Sequence, residues 1–136
     1  MRNPLPPVPL TLAFIDFINH GDVPRLVSLM STDHRLRVFD EPPVTGRDEN
    51  KRAWAGYFDA FPSYLIYPHR IAESPDGFVA VLGHTTGSHL GLADDGEARQ
   101  TLIWVAECLT GGIRGWTLIE DTPLTRARYG LDAQHK

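Results

Sequence analysis

The stretch FVAVLGHTTGSHLGLADDGEARQTLIWVAECLTGGIRGWTLIED, residues 78–121, decides the fold. Phe78 to Leu90 is dense in apolar and β-branched residues and reads as a long strand. Gly91 to Gly96 is a polar loop containing Asp94-Asp95-Gly96. Thr101 to Thr110 is a second long strand, Gly111-Gly112 a tight hairpin, and Ile113 to Asp121 the last strand. Just upstream, Ser74-Pro75-Asp76-Gly77 has proline and glycine where a type I turn favours them. Before that turn, Tyr64 to Ala72 reads as a strand whose Pro68 marks an edge or a bulge. Strands joined by such short turns make an antiparallel meander.

Toward the N-terminus the apolar period changes from that of a strand to that of a helix. Leu10, Ala13, Phe14, Phe17 and Ile18 share one helical face, and Asn19-His20-Gly21 stops the helix. Asp22 is placed to cap a second helix, with Pro24 in its first turn and Val23, Leu26, Val27 and Met30 on its apolar face. Residues 34–40 read as a short strand ended by Glu41-Pro42-Pro43. Asp48 is placed to cap a third helix that carries Ala53, Trp54, Tyr57, Phe58 and Phe61 and ends at Pro62. Residues 1–9, with four prolines, read as an extended arm, and residues 123–136 as a polar tail. Helices first and a meander after predict one α+β domain over residues 1–136.

Composition narrows the function classes. Apolar residues at 42% support a real core, and the net charge of −4, without a basic cluster, argues against nucleic acid as a partner. Prolines interrupt the apolar N-terminus, so it reads as neither a leader nor a membrane span, and no membrane partner is expected. The one cysteine, Cys108, makes no internal disulfide and fits a cytoplasmic setting. His84 and His89 have the spacing of a metal pair on a helix, but on a strand they fall on opposite faces. No metal and no cofactor are therefore expected.

Several short motifs carry a family resemblance. They are Asn19-His20-Gly21-Asp22, Val44-Thr45-Gly46-Arg47, Phe61-Pro62-Ser63-Tyr64, Thr86-Gly87-Ser88-His89-Leu90-Gly91, and Gly111-Gly112-Ile113 with Asp121 eight residues on. In this order they resemble the SnoaL-like branch of the nuclear-transport-factor-2-like superfamily over about residues 10–122. The resemblance implies three N-terminal helices packed on a strongly curved antiparallel sheet, a cone-shaped open barrel with an internal pocket. Members of this fold include isomerases, cyclases, hydrolases and plain binding proteins. Gly112, where the family has lysine, and Ser63, where it has an acid, depart from its pattern.

Strand alternation, with the family's orientation, turns Val79, Val81, Gly83, Thr85, Gly87 and His89 toward the helices. His89 is then a base or hydrogen-bond donor at the pocket rim, or a structural histidine. Asp121 matches the aspartate that serves as acid/base in the family's cyclases, and an apolar setting would raise its pKa. The expected catalytic pair is Asp121 and His89, in a cofactor-free isomerase or cyclase acting on a small, largely apolar molecule. Tyr57, Trp54, Trp104, Val81 and Thr85 are the expected pocket residues, with Tyr57 either an oxyanion donor or a core aromatic. Glu107 either lines the pocket or faces water. The rival reading is a non-catalytic small-ligand-binding or dimerisation module. Phe78, Ala80 and Leu82 on the outer sheet face suggest a homodimer under either reading.

Overall fold

The computed structural model describes residues 5–110 and 112–132. Gly111 of the predicted hairpin, residues 1–4 of the arm and 133–136 of the tail lie outside the described residues. In order, the elements are α1 (Pro7–Asn19), α2 (Val23–Ser28), β1 (Met30–Val38), β2 (Val44–Thr45), α3 (Arg47–Ala60) and β3 (Leu65–Glu73). Then follow β4 (Phe78–Thr86), α4 (Asp94–Ala98), β5 (Leu102–Leu109), β6 (Gly112–Glu120) and α5 (Pro123–Arg128). The strands form one six-stranded sheet in the order β2-β1-β6-β5-β4-β3.

This is the α+β class expected, and the sheet is open, with β2 and β3 as its edges. Two points differ. The sheet is not wholly antiparallel, because β1 runs parallel to β6. The described residues form five helices rather than three. The two extra ones are short and lie where composition alone suggested loop and tail. In α5, Pro123 occupies the first turn and Thr122 and Thr125 form a reciprocal capping box. In α4, Asp94 and Asp95 sit in the first turn, where negative charge is favourable.

Other boundaries moved for local reasons. α1 starts at Pro7, three residues early, because a proline in the first turn forfeits no helical hydrogen bond. Gly46, at φ 93°, caps α3, and Asp48 falls inside the first turn instead. β4 ends at Thr86 because Gly87 takes φ 70° and turns the chain. His89 therefore sits in a turn beyond the strand.

Polar side chains fasten the helices to the sheet. Asn19 Nδ2 donates to the Ile66 carbonyl at 3.0 Å, and the Ile66 N–H donates to Asn19 Oδ1 at 2.8 Å, so α1 ends by pairing with β3 like a strand. Asp22 Oδ1 accepts from the Arg25 N–H at 3.2 Å, the predicted cap of α2. Arg47 Nε donates to the Met30 carbonyl at 3.0 Å. The Ile113 N–H donates to the Leu29 carbonyl at 2.7 Å, and a Cβ on Gly112 would stand 2.6 Å from that same oxygen. That contact leaves no room for the family's lysine at position 112.

Both faces of the sheet carry a packed cluster, and different parts of the chain supply the two. On one, Val79, Val81, Trp104, Ala106 and Trp116 pack with Phe14, Ile18 and Leu26 from the helices. On the other, Ala80, Leu82, Ile103 and Val105 pack with Leu131, which is completely buried. Alternation along β4 was read correctly. What it missed is that the outer face is closed by the chain's own segment after α5. Of Phe78, Ala80 and Leu82, only Phe78 stays exposed, and the apolar patch expected to support a dimer is largely taken.

Candidate functional site

Between α3 and the helix-facing side of β1, β5 and β6 lies a cavity of about 190 Å³. Leu36, Val38, Trp104, Trp116 and Leu118 contribute from the sheet, Ala53, Trp54 and Tyr57 from α3, and Tyr64 and His89 from the segments that flank β3 and β4. Its wall is apolar except at one end. There Tyr57 and His89 meet, with Tyr57 Oη 2.9 Å from His89 Nδ1.

The His89 backbone N–H donates to Tyr57 Oη at 3.2 Å. Either tautomer of His89 fits the Nδ1 contact, since a phenol can both donate and accept. In the tautomer whose Nδ1 accepts from the phenol, the imidazole proton is on Nε2, the nitrogen His89 can present to a bound molecule. Burial raises the Tyr57 pKa, so the phenol remains a donor at neutral pH. Tyr64 is pushed up further, also by burial first, with the charges of Tyr57 and Glu97 adding to it. Phe61 and Tyr64 pack edge-on or tilted against this pair and hold its rings in place.

Of the expected pocket residues, Tyr57, Trp54 and Trp104 line the cavity. Tyr57 is a rim donor rather than only a core aromatic. Val81 and Thr85 face the same side but lie in the wall behind. Val81 is part of the packed core, and the Thr85 hydroxyl donates to Glu97 Oε2.

Asp121 does not join His89. It lines none of this cavity. Arg126 grips it with Nε at 2.6 Å and Nη2 at 2.8 Å, and Thr101 Oγ1 donates to it as well. Its pKa is lowered, chiefly by the hydrogen bonds from Arg126, which is opposite to the rise a catalytic base would need. The reason is topological: α5, read from sequence as a polar tail, folds back and supplies the arginine. Glu107 is settled too. It faces a polar cleft on the outer side with Arg35, Arg37, Arg114 and Thr117. His34 lies within β1, fully buried, with Nδ1 2.6 Å from the Ile113 carbonyl. Desolvation lowers its pKa.

The residue that sequence reasoning missed is Glu97. It sits on α4 and is 1% exposed; among the described residues Thr85 is its hydrogen-bond partner and its Oε1 meets none. Its charge reaches both Tyr57 and Tyr64. A buried carboxylate with an unused oxygen costs several kcal/mol, which marks Glu97 as a candidate site residue. The sequence signal was a lone Glu in Asp-Asp-Gly-Glu-Ala, which reads as solvated loop until α4 turns one side inward. Trp54 Nε1, in the cavity wall, is likewise buried without a partner.

Fold and cavity together define the class, an α+β protein with an apolar cavity between helices and sheet. The SnoaL-like domain family matches residues 11–114, and the chain belongs to that family. Among solved structures, an uncharacterised cystatin-fold protein from Novosphingobium aromaticivorans is similar at TM-score 0.71 and 16% identity, covering 85% of this chain and 99% of its own. A putative SnoaL-like polyketide cyclase from Jannaschia sp. CCS1 is similar at TM-score 0.67 and 17% identity, covering 99% of each chain. SalBIII, an epoxide hydrolase/cyclase-like enzyme of pyran ring formation in salinomycin, is similar at TM-score 0.68 and 15% identity, covering 85% of this chain and 91% of its own. At such identities the likeness is one of fold. No curated protein matches the chain in sequence. Among the described residues no helix is long and apolar enough to cross a membrane.

Proposed function

We propose that the cavity binds a small, largely apolar ring molecule carrying one acceptor oxygen, with that oxygen at His89 Nε2. The observation that carries the reading is an apolar wall whose hydrogen-bonding rim is the Tyr57–His89 pair. Size bounds the ligand. A cavity of about 150 Å³ lined by apolar side chains holds benzene. One of about 190 Å³ has room for a single substituted ring.

A second reading adds chemistry at the same place. Glu97, which does not itself line the cavity but whose charge reaches Tyr57 at its polar end, is the base of an isomerase- or cyclase-type proton transfer there, and His89 is the donor to the ligand's oxygen. The unpartnered Glu97 oxygen favours this reading, and two of the similar structures are described as cyclase or cyclase-like. In this role Glu97 replaces Asp121.

Titration of the protein with cyclohexanone and acetophenone, followed by the fluorescence of Trp54, Trp104 and Trp116, tests the binding. A saturable change that is lost in Trp104→Ala supports it, and no saturable change with either ketone refutes it. Exchange of the ketone's α-hydrogens in D2O, followed by proton NMR, tests the chemistry. Exchange should stop in Glu97→Gln and persist in Asp121→Asn; binding without catalysed exchange leaves the protein a binding module.

A homodimer is part of the proposal, with its contact on the uncovered part of the outer face. Arg35, Arg37 and Glu107 lie together there, and charges of both signs on one patch suit a two-fold contact in which each copy's arginines meet the other's glutamate. Sedimentation that finds only monomer at micromolar concentration rules this out.

A further inference from the structure

On the outer face, away from the cavity, two histidines of neighbouring strands meet nitrogen to nitrogen. His69 Nε2 on β3 lies 2.7 Å from His84 Nδ1 on β4. Neither side chain is buried. The sequence pairs His84 with His89, which the turn at Gly87 separates; the partner that the fold supplies is His69.

The meeting is built by a bulge. Tyr67 pairs with His84 and Pro68 with Gly83, but the next pair is Arg70 with Leu82, so His69 is the extra residue and has no partner across the ladder. Pro68 suits this spot because it has no N–H to lose. Gly83 suits it because a Cβ there would stand 2.2 Å from the Tyr67 carbonyl oxygen. Only a glycine lets β3 come this close. Tyr67 then stacks on the His84 ring, centroids 4.5 Å apart and planes 9° from parallel, and the Thr86 hydroxyl donates to the Tyr67 oxygen at 3.3 Å. His84 is thus held from behind while His69 faces it. Arg70, next along the strand, is turned away to the Leu131 carbonyl.

The geometry points to a binding site for a divalent transition cation, Cu²⁺ or Ni²⁺, chelated by His69 Nε2 and His84 Nδ1. Imidazole nitrogens suit these ions. Metal–nitrogen bonds of about 2.0–2.1 Å spanning this separation close an angle of about 80–85°, near the right angle between neighbouring positions of a tetragonal ion. A tetrahedral ion such as Zn²⁺ would need the nitrogens about 3.3 Å apart. The ring centroids stand 4.9 Å apart, so the two nitrogens face each other along the hydrogen bond, and to share one ion each imidazole must swing its lone pair about 45–50° off that line. The imidazole that now donates in the N–H···N bond shifts its proton to its other ring nitrogen. Water completes the coordination, because among the described residues no group of three or more histidine, cysteine or acidic side chains could hold a metal.

Titration with CuCl2 and NiCl2, followed by calorimetry and, for copper, by electron paramagnetic resonance, tests the site. The expected result is one ion per chain, with hyperfine structure from two nitrogens and tighter binding of Cu²⁺ than of Zn²⁺. His69→Ala and His84→Ala should each weaken binding by about tenfold or more, since each turns a chelate into a single bond. His20→Ala should leave it unchanged. Circular dichroism melts, with His69→Gln as a milder variant, separate loss of the site from loss of the fold. No binding, or equal binding in the His69 and His84 variants, would overturn the assignment.

Discussion

Replacing Asp121 by Asn distinguishes two readings of the same carboxylate. If it is a catalytic base, the substitution removes catalysis and spares the fold. If it is the anchor of α5, the substitution weakens the fold and spares the cavity. The magnitude follows from the structure. The Asp121 side chain is 8% exposed and that of Arg126 35%, so the pair lies between a surface ion pair and a buried one. Exposed pairs contribute about 0.2–1 kcal/mol, and losing one partner of a buried pair costs about 3–5 kcal/mol. Solvent on the arginine pulls the value down, and an asparagine oxygen can still accept from Thr101. The expected loss is about 1–2 kcal/mol, a melting shift of roughly 3–8 °C at this chain length. Urea unfolding followed by tryptophan fluorescence measures it.

The pH dependence gives the sign. Hydrogen bonds from Arg126, first of all, hold the folded-state pKa of Asp121 below the ordinary 3.8. The stabilisation is therefore complete above that value and disappears as pH falls through the lower folded pKa. The stability gap between wild type and Asp121→Asn should be flat from pH 5 to 8 and shrink below about pH 4. A variant as stable as wild type that has lost ketone exchange would refute this reasoning and restore Asp121 to the chemistry.

Three other outcomes are expected. Leu131→Ala opens a hole over Ala80, Leu82 and Ile103 and should cost about 2–5 kcal/mol in urea unfolding, with no change in ketone binding. Gly83→Ala forces β3 away from β4 and should cost about 1–3 kcal/mol or more, and it should also weaken metal binding at the adjoining bulge, as calorimetry would show. Tyr57→Phe removes the partner of His89 Nδ1; ketone binding should weaken severalfold in the fluorescence titration, for a stability loss of about 1 kcal/mol.

The likeness to SnoaL-like proteins was legible because it rests on local demands. Asn19-His20-Gly21-Asp22 reads as a helix–turn–helix because Gly21 takes φ 63° and Asp22 caps the next turn, both of which neighbouring residues dictate. The inward and outward sides of β4 were legible because a strand has period two. The aromatic face of α3 was legible from helical spacing, and it does deliver Trp54 and Tyr57 to the cavity. The meeting of Tyr57 with His89 was not legible, since the two meet through a turn that a glycine starts one residue after the strand ends.

What the sequence by itself determined, then, is the class of fold, the helix-facing side of its strands and the aromatic lining of its cavity, because periodicity and capping act within a few residues. Which polar groups meet was decided by the tertiary structure alone. Asp121 was claimed by an arginine five residues later because a capped helix turned back. Glu97 was buried beside Thr85 because a short helix showed one side to the sheet. His69 reached His84 because it is itself the extra residue of a bulge between Pro68 and Arg70. Each of these depends on a relative placement of elements within about an ångström. No residue pattern encodes that locally, since it follows from how the packed layers fit together.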